Sequence, residues 1–382
     1  MRLSHYFNSN KFRINSQLSL LFIGLIFIFC GCKESTTKNT IGERRFHSIT
    51  YSKQFGLLES DEAIQIIQIN KQDTQWGYTF YKNQKQAKIV VLSTVFAGFL
   101  ELLGEQSQIV GLDNINFYSD SILLQQCKQN KTQVIGEEAQ IQLEKTLALK
   151  PDILICNSEN FITTAIGKRL ERSGTKIICC NNFKEAHPLA RAEWIKLFGA
   201  ISGQLALADS IFEVVAKNYN ATHDLAKQQS IVSKSEGKEK PTVLAEAMFG
   251  DTWFVPGGKS YTAQLIEDAG GTYCFSNLQP LFTYPKSLED VLNMAKEADI
   301  WIHIGQYKWR EEMLQQDARY GLFKAFQNKQ LFNNNKQENS AGGNAFWEIG
   351  VGRPDLILQD LYSIFKSPTS NSGRYNYYTK IQ

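Results

Sequence analysis

Apolar and polar positions change rhythm along the chain, and each change marks a new kind of element. Residues 46–86 alternate in "FHSITYSKQF", "AIQIIQI" and "YTFYK". Period-two alternation of this kind predicts a few antiparallel strands. From Lys88 the apolar positions become continuous, in "KIVVLST", "QIVGLD", "DILIC" and "KIICC". Such runs suit strands of a parallel sheet, buried on both faces. Helical stretches separate them: "VFAGFLELLG", closed by Gly104, and another at 162–173. The result is β-α-β alternation over 88–202.

A long helix is predicted next, over 203–228, because Leu205, Ala208, Phe212, Val215 and Tyr219 step by three and four along one stripe. The polar run "KQQSIVSKSEGKEK" is expected to end it. Pro241 then opens a second α/β series over 241–368: "TVLAEAM", "TWFV", "YTAQLIEDAGG", "DIWIHIG", "QLFNN" and the closing helix "PDLILQDLYSIF". Residues 369–382 read as a polar tail. The predicted fold class is α/β, with two lobes and one helix between them.

One phrase occurs in both lobes. Leu143-Glu144-x-x-Leu147 leads to Asp152-Ile153-x-Ile155, and Leu288-Glu289-x-x-Leu292 leads to Asp299-Ile300-x-Ile302. A carboxylate in a helix's first turn suits the helix dipole, so either Glu alone is ordinary. A matching pair, one per lobe, points to a shared role.

Charge changes the picture little. A net charge of +3 over 382 residues, with no basic run interleaved with aromatics, leaves no footprint for nucleic acid. The N-terminus is more informative. Arg2, Lys11 and Arg13 precede the apolar run Leu18–Phe29, and "CGCKES" follows. A dozen apolar residues fall short of the roughly 20 that span a bilayer. Basic flank, short apolar core and Gly31 before Cys32 describe an export signal over 1–31. Gly31-Cys32 resembles the end of a bacterial lipobox, although Phe29 and Cys30 depart from its usual residues. The resemblance implies a lipid on Cys32; an uncleaved anchor helix is the alternative. In both readings the folded part faces the periplasm, tied to a membrane of the cell envelope. Polar residues 32–45 then act as a tether. Cys127, Cys156, Cys179, Cys180 and Cys274 remain, and they read as free thiols.

Three stretches together resemble the periplasmic binding proteins of ABC importers for iron–siderophores, haem and vitamin B12. They are "KIVVLST" with "FLELLG" and "QIVGLD", then "LEKTLALKPDILIC", then "FVPGGKSYTAQLIEDAGG" with "YPKSLEDVL" and "EADIWIHIG". The resemblance covers roughly Lys88 to Pro368 and leaves 46–86 unassigned. It implies two Rossmann-like lobes on a single rigid helix. It also implies a non-enzymatic monomer that captures a metal chelate or corrinoid, with no cofactor of its own, and delivers it to an inner-membrane ABC permease. By position, Glu144 and Glu289 would dock on permease arginines. The rival is an anchored α/β enzyme using Glu144 or Glu289 as acid or base, or a chelate-binding surface lipoprotein without a permease.

Other motifs fall away. "PGGKS" lacks the first glycine of a phosphate-binding loop, since Trp253 stands there. No Gly-x-Ser-x-Gly elbow occurs, and the five His have no metal-pair spacing, so no metal site of the protein's own is expected. His303 in "DIWIHIG" reads as a satisfied strand residue. Rigid rings grip a large flat ligand at low entropy cost. Tyr118, Trp253, Tyr284 and Trp347, each in or beside a loop, are therefore the candidate ligand contacts. Arg353 is the candidate partner for an anionic chelate.

Overall fold

The computed structural model describes residues 44–69, 74–82, 86–279, 281–367 and 374–382. Cys32 and most of the 32–45 tether lie outside them. The first four strands, β1 (Arg45–Phe46), β2 (Phe55–Glu59), β3 (Ala63–Ile69) and β4 (Thr74–Tyr81), form an antiparallel sheet in sequence order. Inward Phe55, Leu57, Ile64 and Ile66 join the main core, and Phe55 meets Trp194 with ring centroids 4.7 Å apart.

A buried polar cluster also fastens this sheet. The fully buried Glu193 carboxylate accepts from the backbone N–H groups of Thr50 (2.7 Å), Tyr51 (2.7 Å) and Ser52 (2.9 Å). Lys196 Nζ lies 3.4 Å from Glu193 and donates to the Ser48 carbonyl at 2.8 Å. His47 reaches Glu59 and Asp209 at 3.2 and 2.9 Å. Each buried charge thus has partners, which is what makes its burial tolerable.

The first lobe holds β5 (Ile89–Val91), β6 (Ile109–Leu112), β7 (Gln133–Val134), β8 (Ile153–Cys156) and β9 (Lys176–Cys179), all parallel, in the order β7-β6-β5-β8-β9. Helices cover it, among them α1 (Thr94–Leu102) and α2 (Leu143–Leu149). Lys150 ends α2 in the left-handed region (φ 49°), and Pro151 prevents its continuation. The second lobe has β10 (Thr242–Ala245), β13 (Thr272–Tyr273), β15 (Ile300–Ile302), β16 (Leu331–Asn333) and β17 (Thr379–Lys380), in the order β13-β10-β15-β16-β17. Only β17 runs antiparallel. Strands β11 (Met248–Phe249), β12 (Thr252–Pro256) and β14 (Thr283–Lys286) make a separate antiparallel sheet.

Helix α3 (Leu205–Ser235) bridges the lobes. The expected stripe of Leu205, Ala208, Phe212, Val215 and Tyr219 is buried. Two boundaries differ from the sequence reading. Helix α3 continues through the polar run to Ser235, because solvated Lys, Gln and Ser residues remain adequate helix formers. Residues 374–382 are an edge of the second lobe rather than a polar tail. Tyr375, Tyr377, Tyr378 and Ile381 are buried, and the Asp360 carboxylate accepts from the N–H groups of Asn376 (2.8 Å) and Tyr377 (2.7 Å).

The Glu193 cluster generates a prediction. Glu193→Ala leaves Lys196 buried without its nearest carboxylate and three N–H groups unpaired. Loss of one partner of a buried pair costs about 3–5 kcal/mol. The urea midpoint should fall accordingly; an unchanged midpoint would mean that packing alone holds the N-terminal sheet.

Candidate strand-end site between the lobes

In an open α/β sheet, ligands bind beyond the carboxyl ends of the strands, where the order reverses. In the first lobe that point lies between β5 and β8. Leu92–Thr94 and Asn157–Ser158 flank it. Asn157 Nδ2 donates to the Leu92 carbonyl at 3.4 Å, and the Glu138 carboxylate holds the N–H groups of Asn157 and Ser158 at 2.9 and 3.0 Å.

In the second lobe the reversal lies between β10 and β15. Ala245 pairs with Ile302, so the next residues, Glu246 and His303, stand side by side. Both are left-handed, with φ of 67° and 55°. A non-glycine residue there costs about 1–3 kcal/mol and persists only where its surroundings enforce it. The enforcement is visible. Trp301 Nε1 donates to the Glu246 carbonyl at 2.7 Å, Glu246 N–H to the Ile302 carbonyl at 3.1 Å, and His303 N–H to the Phe332 carbonyl at 3.0 Å.

The His303 ring is buried. Its Nε2 shares a hydrogen bond of 2.6 Å with the Tyr378 hydroxyl, whose phenol burial pushes well up. Its Nδ1 makes no hydrogen bond among the described residues, and Glu246 Oε1 stands 3.4 Å away. Phe346 and Trp347 cover the ring edge-on, with centroids 5.2 and 6.1 Å away.

Trp347 belongs to a strap, 339–353, that crosses to the first lobe. Asn339 Nδ2 donates to the Tyr118 carbonyl at 2.8 Å. Backbones approach so closely that a Cβ on Gly343 would lie 2.3 Å from that carbonyl oxygen, and one on Gly98 would lie 2.6 Å from the Glu348 carbonyl. Buried Glu348 accepts from Ser119 N–H at 2.6 Å and from the Ser119 hydroxyl. Burial raises its carboxyl. Burial, with the charges of Asp120 and Glu348, pushes Glu101 up to about 8. Three carboxyls therefore meet at this seam.

The candidate residues divide. Trp347 is 42% exposed beside His303. Tyr284 is 44% exposed on β14, with Lys286 Nζ 5.3 Å from its ring centroid. Trp253 is corrected to a core residue. It is fully buried, stacks on Trp301 with centroids 5.3 Å apart, touches Tyr320 and Phe323, and donates to the Ala245 carbonyl at 3.0 Å. Tyr118 is corrected likewise. Its buried ring donates its O–H to Asp113 at 2.7 Å, and its carbonyl anchors the strap. Arg353 is committed to Asp355 by two 2.9 Å bonds rather than free for an anion. Two unanticipated rings are exposed: Phe183, just past β9, and Phe282, just before β14. They face each other from the two lobes with centroids 6.5 Å apart.

Glu144 and Glu289 are both exposed in the first turns of α2 and of α4 (Leu288–Ala295). Each helix runs down to the amino end of the following strand, so each first turn lies at the carboxyl edge of its sheet. Glu289 pairs with Arg319, which also holds Asp317 at 2.6 Å; Glu144 has no ion pair among the described residues. Neither sits in the enclosed polar setting that acid–base chemistry needs. No cluster of three or more His, Cys, Asp or Glu among the described residues is able to hold a metal ion. A cavity of about 610 Å³ lies at the opposite edge, between the N-terminal sheet and the first lobe, lined by Ile64, Phe80, Lys82, Asp152, Lys176 and Ile201.

Two α/β lobes joined by one helix, each with a strand-order reversal in its sheet, have the architecture of a bilobal binding protein. The family model for periplasmic binding proteins matches residues 89–337, and the chain belongs to that family. An uncharacterised lipoprotein of Methanocaldococcus jannaschii is 21% identical over 301 residues, which span 76% of this chain and 68% of that one. A periplasmic haem-binding protein from Pseudomonas aeruginosa superimposes with a TM-score of 0.57 at 19% identity, over 78% of this chain and 99% of that one. A periplasmic haem-binding protein of Vibrio cholerae gives 0.54 at 20% identity, over 73% and 100%. At these identities the structural likeness is one of fold.

The carboxyl seam carries its own prediction. Glu101 is raised from 4.5 to about 8 in the fold, so the folded state binds the extra proton. Stability is then fullest below about pH 4.5 and is lost as pH rises through about 8. Glu101→Gln should melt higher than wild type at alkaline pH and converge with it in acid. A melting difference independent of pH would remove Glu101 from the seam's proton balance.

Proposed function

We propose that this protein is the lipid-anchored solute-binding component of an ABC importer, with a lipid on Cys32, and that its ligand is a large flat chelate: haem, an iron–siderophore or a corrinoid. One observation carries the reading. The exposed rings Phe183 and Phe282 face each other from the two lobes, and the exposed Trp347 stands beside His303 at the strand ends of the second lobe. Rings in such a gap suit a flat, mostly apolar ligand. His303 Nδ1 and Glu246 supply a polar handle beside Trp347. The haem-binding proteins that share the fold favour the same ligand class. The lipoprotein relative supports the anchor.

The test titrates the purified protein with haem, cobalamin and ferric siderophores, followed by absorbance and native mass spectrometry. One class should bind. Phe282→Ala and Trp347→Ala should each weaken that binding by about 1–3 kcal/mol with little change in melting. Binding of none of the three, or full affinity in both variants, would refute the ligand class and the ring site respectively.

Docking is tested separately. Glu144 and Glu289 are proposed to reach permease arginines, at one edge of each lobe. An interfacial charge that loses its partner costs about 2–5 kcal/mol, whereas a first-turn carboxylate contributes only about 0.3–1 kcal/mol to its helix. Glu144→Ala with Glu289→Ala should therefore fold and bind ligand normally but fail in uptake. Normal uptake by a well-folded double variant would sink the assignment.

A further inference from the structure

Helix α3 has three faces, and the solute-binding function accounts for only one. Its core stripe holds Leu205, Ala208, Phe212, Val215, Tyr219 and Ala226. One flank is polar, with Asp209, Glu213, Asn220 and Lys227. The other flank is apolar and open: Leu207, Val214, Leu225 and Val232 are 42, 55, 51 and 49% exposed, and Ile211 is half-buried. These residues follow a strict alternation of four and three: Leu207, Ile211, Val214, Asn218, Ala221, Leu225, Gln228, Val232. That is the heptad seam of a helix that packs against another helix. The helix beyond residue 228 is what completes it, because Val232 lies there.

The seam is self-complementary when reversed. In an antiparallel pair, Val232 of one copy lies opposite Leu207 of the other, Leu225 opposite Val214, Gln228 opposite Ile211, and Asn218 opposite Ala221. The same register sets Lys217 of one copy against Asp224 of the other, twice. Both are exposed and have no ion pair among the described residues. Seven residues apart on one helix, they are too far apart to satisfy each other. A two-fold interface repeats each contact, so one register joins eight layers and two ion pairs. The small Ala221 falls at the centre beside Asn218, whose Nδ2 also donates to Asp355 at 3.4 Å, and a polar residue there fixes register.

We propose that this flank docks a second copy of the chain, α3 against α3, antiparallel about a two-fold axis near Asn218 and Ala221. The pairing leaves the strand-end site and the first turns of α2 and α4 uncovered by α3. It replaces the monomer that the family resemblance implies.

The test uses the full-length chain in membranes of the expressing cells, treated with a short bismaleimide and compared with the parent carrying its native thiols. Ala221→Cys should give a dimer, since the two copies of residue 221 nearly meet at the axis. Leu207→Cys should not, because its two copies stand about 35–40 Å apart along the helix at 1.5 Å per residue. Co-expressed Leu207→Cys and Val232→Cys chains should cross-link to each other. Lys217→Glu should lower the Ala221→Cys dimer yield several-fold, and adding Asp224→Lys should restore it. A simple loss of fold would not be rescued by that exchange. The proposal is overturned if Ala221→Cys yields no dimer, if it links instead to a different protein, or if Leu207→Cys alone dimerises equally well.

Discussion

Both lobes depend on a carboxylate at the start of one strand holding the start of its neighbour. Asp152, ahead of β8, accepts from the Lys88 N–H at 2.8 Å, ahead of β5. Asp299, ahead of β15, accepts from the N–H and hydroxyl of Thr242 in β10, both at 2.8 Å. Each bond fixes the stagger between the two strands that border the reversal point. A slip of one residue would turn every side chain to the opposite face. With the stagger fixed at the amino ends, the carboxyl ends are fixed too. Leu92 then meets Asn157, and Glu246 stands beside His303. The Asp of each repeated phrase therefore sets the crevice from the far side of the sheet, while the Glu of the same phrase occupies the crevice edge.

Rigidity follows from how the lobes are joined. A single helix bridges them, buried along one stripe, and rigid connections of this type restrict lobes to small relative movement. Two further devices act in the same direction. The N-terminal sheet, outside the matched family region, clasps both the Glu193 helix region and α3 through His47 and Asp209. The strap at 339–353 runs from the second lobe onto Tyr118 and Gly98 of the first. A site assembled this way is largely preformed, and a preformed site loses less free energy to ordering when a ligand binds.

The elements were legible wherever local periodicity was strong. Buried parallel strands such as "ILIC" carry their own signal, and the bridging stripe of α3 is visible residue by residue. What failed was the direction of side chains and anything settled by distant partners. "TWFV" alternates, and alternation alone does not say which face is inner. Trp253 turned inward and Phe254 outward because Trp301, Tyr320 and Phe323 wait on one side. The C-terminal residues looked polar because their burial depends on Asp360, in another helix, satisfying two N–H groups. Phe183 and Phe282 escaped notice for a similar reason. Each is an ordinary loop ring, and only the meeting of the two lobes makes them a pair.

The two exposed glutamates are alike in sequence and unlike in surroundings, which bears on how a docking surface works. Glu144 has no charged partner among the described residues; Glu289 already holds Arg319. The pair is solvent-exposed on both sides, at 48 and 64%. Exposed ion pairs contribute only about 0–1 kcal/mol, since water competes for both charges. An arginine arriving from a partner, in an interface that excludes water, meets a carboxylate whose present bond is weak enough to exchange. Arg319 keeps Asp317 as an alternative partner at 2.6 Å, so releasing Glu289 strands no charge. The internal pair therefore orients the carboxylate without removing it from use. The bare Glu144 needs no such release, so the two proposed docking points carry equal charge but differ in readiness.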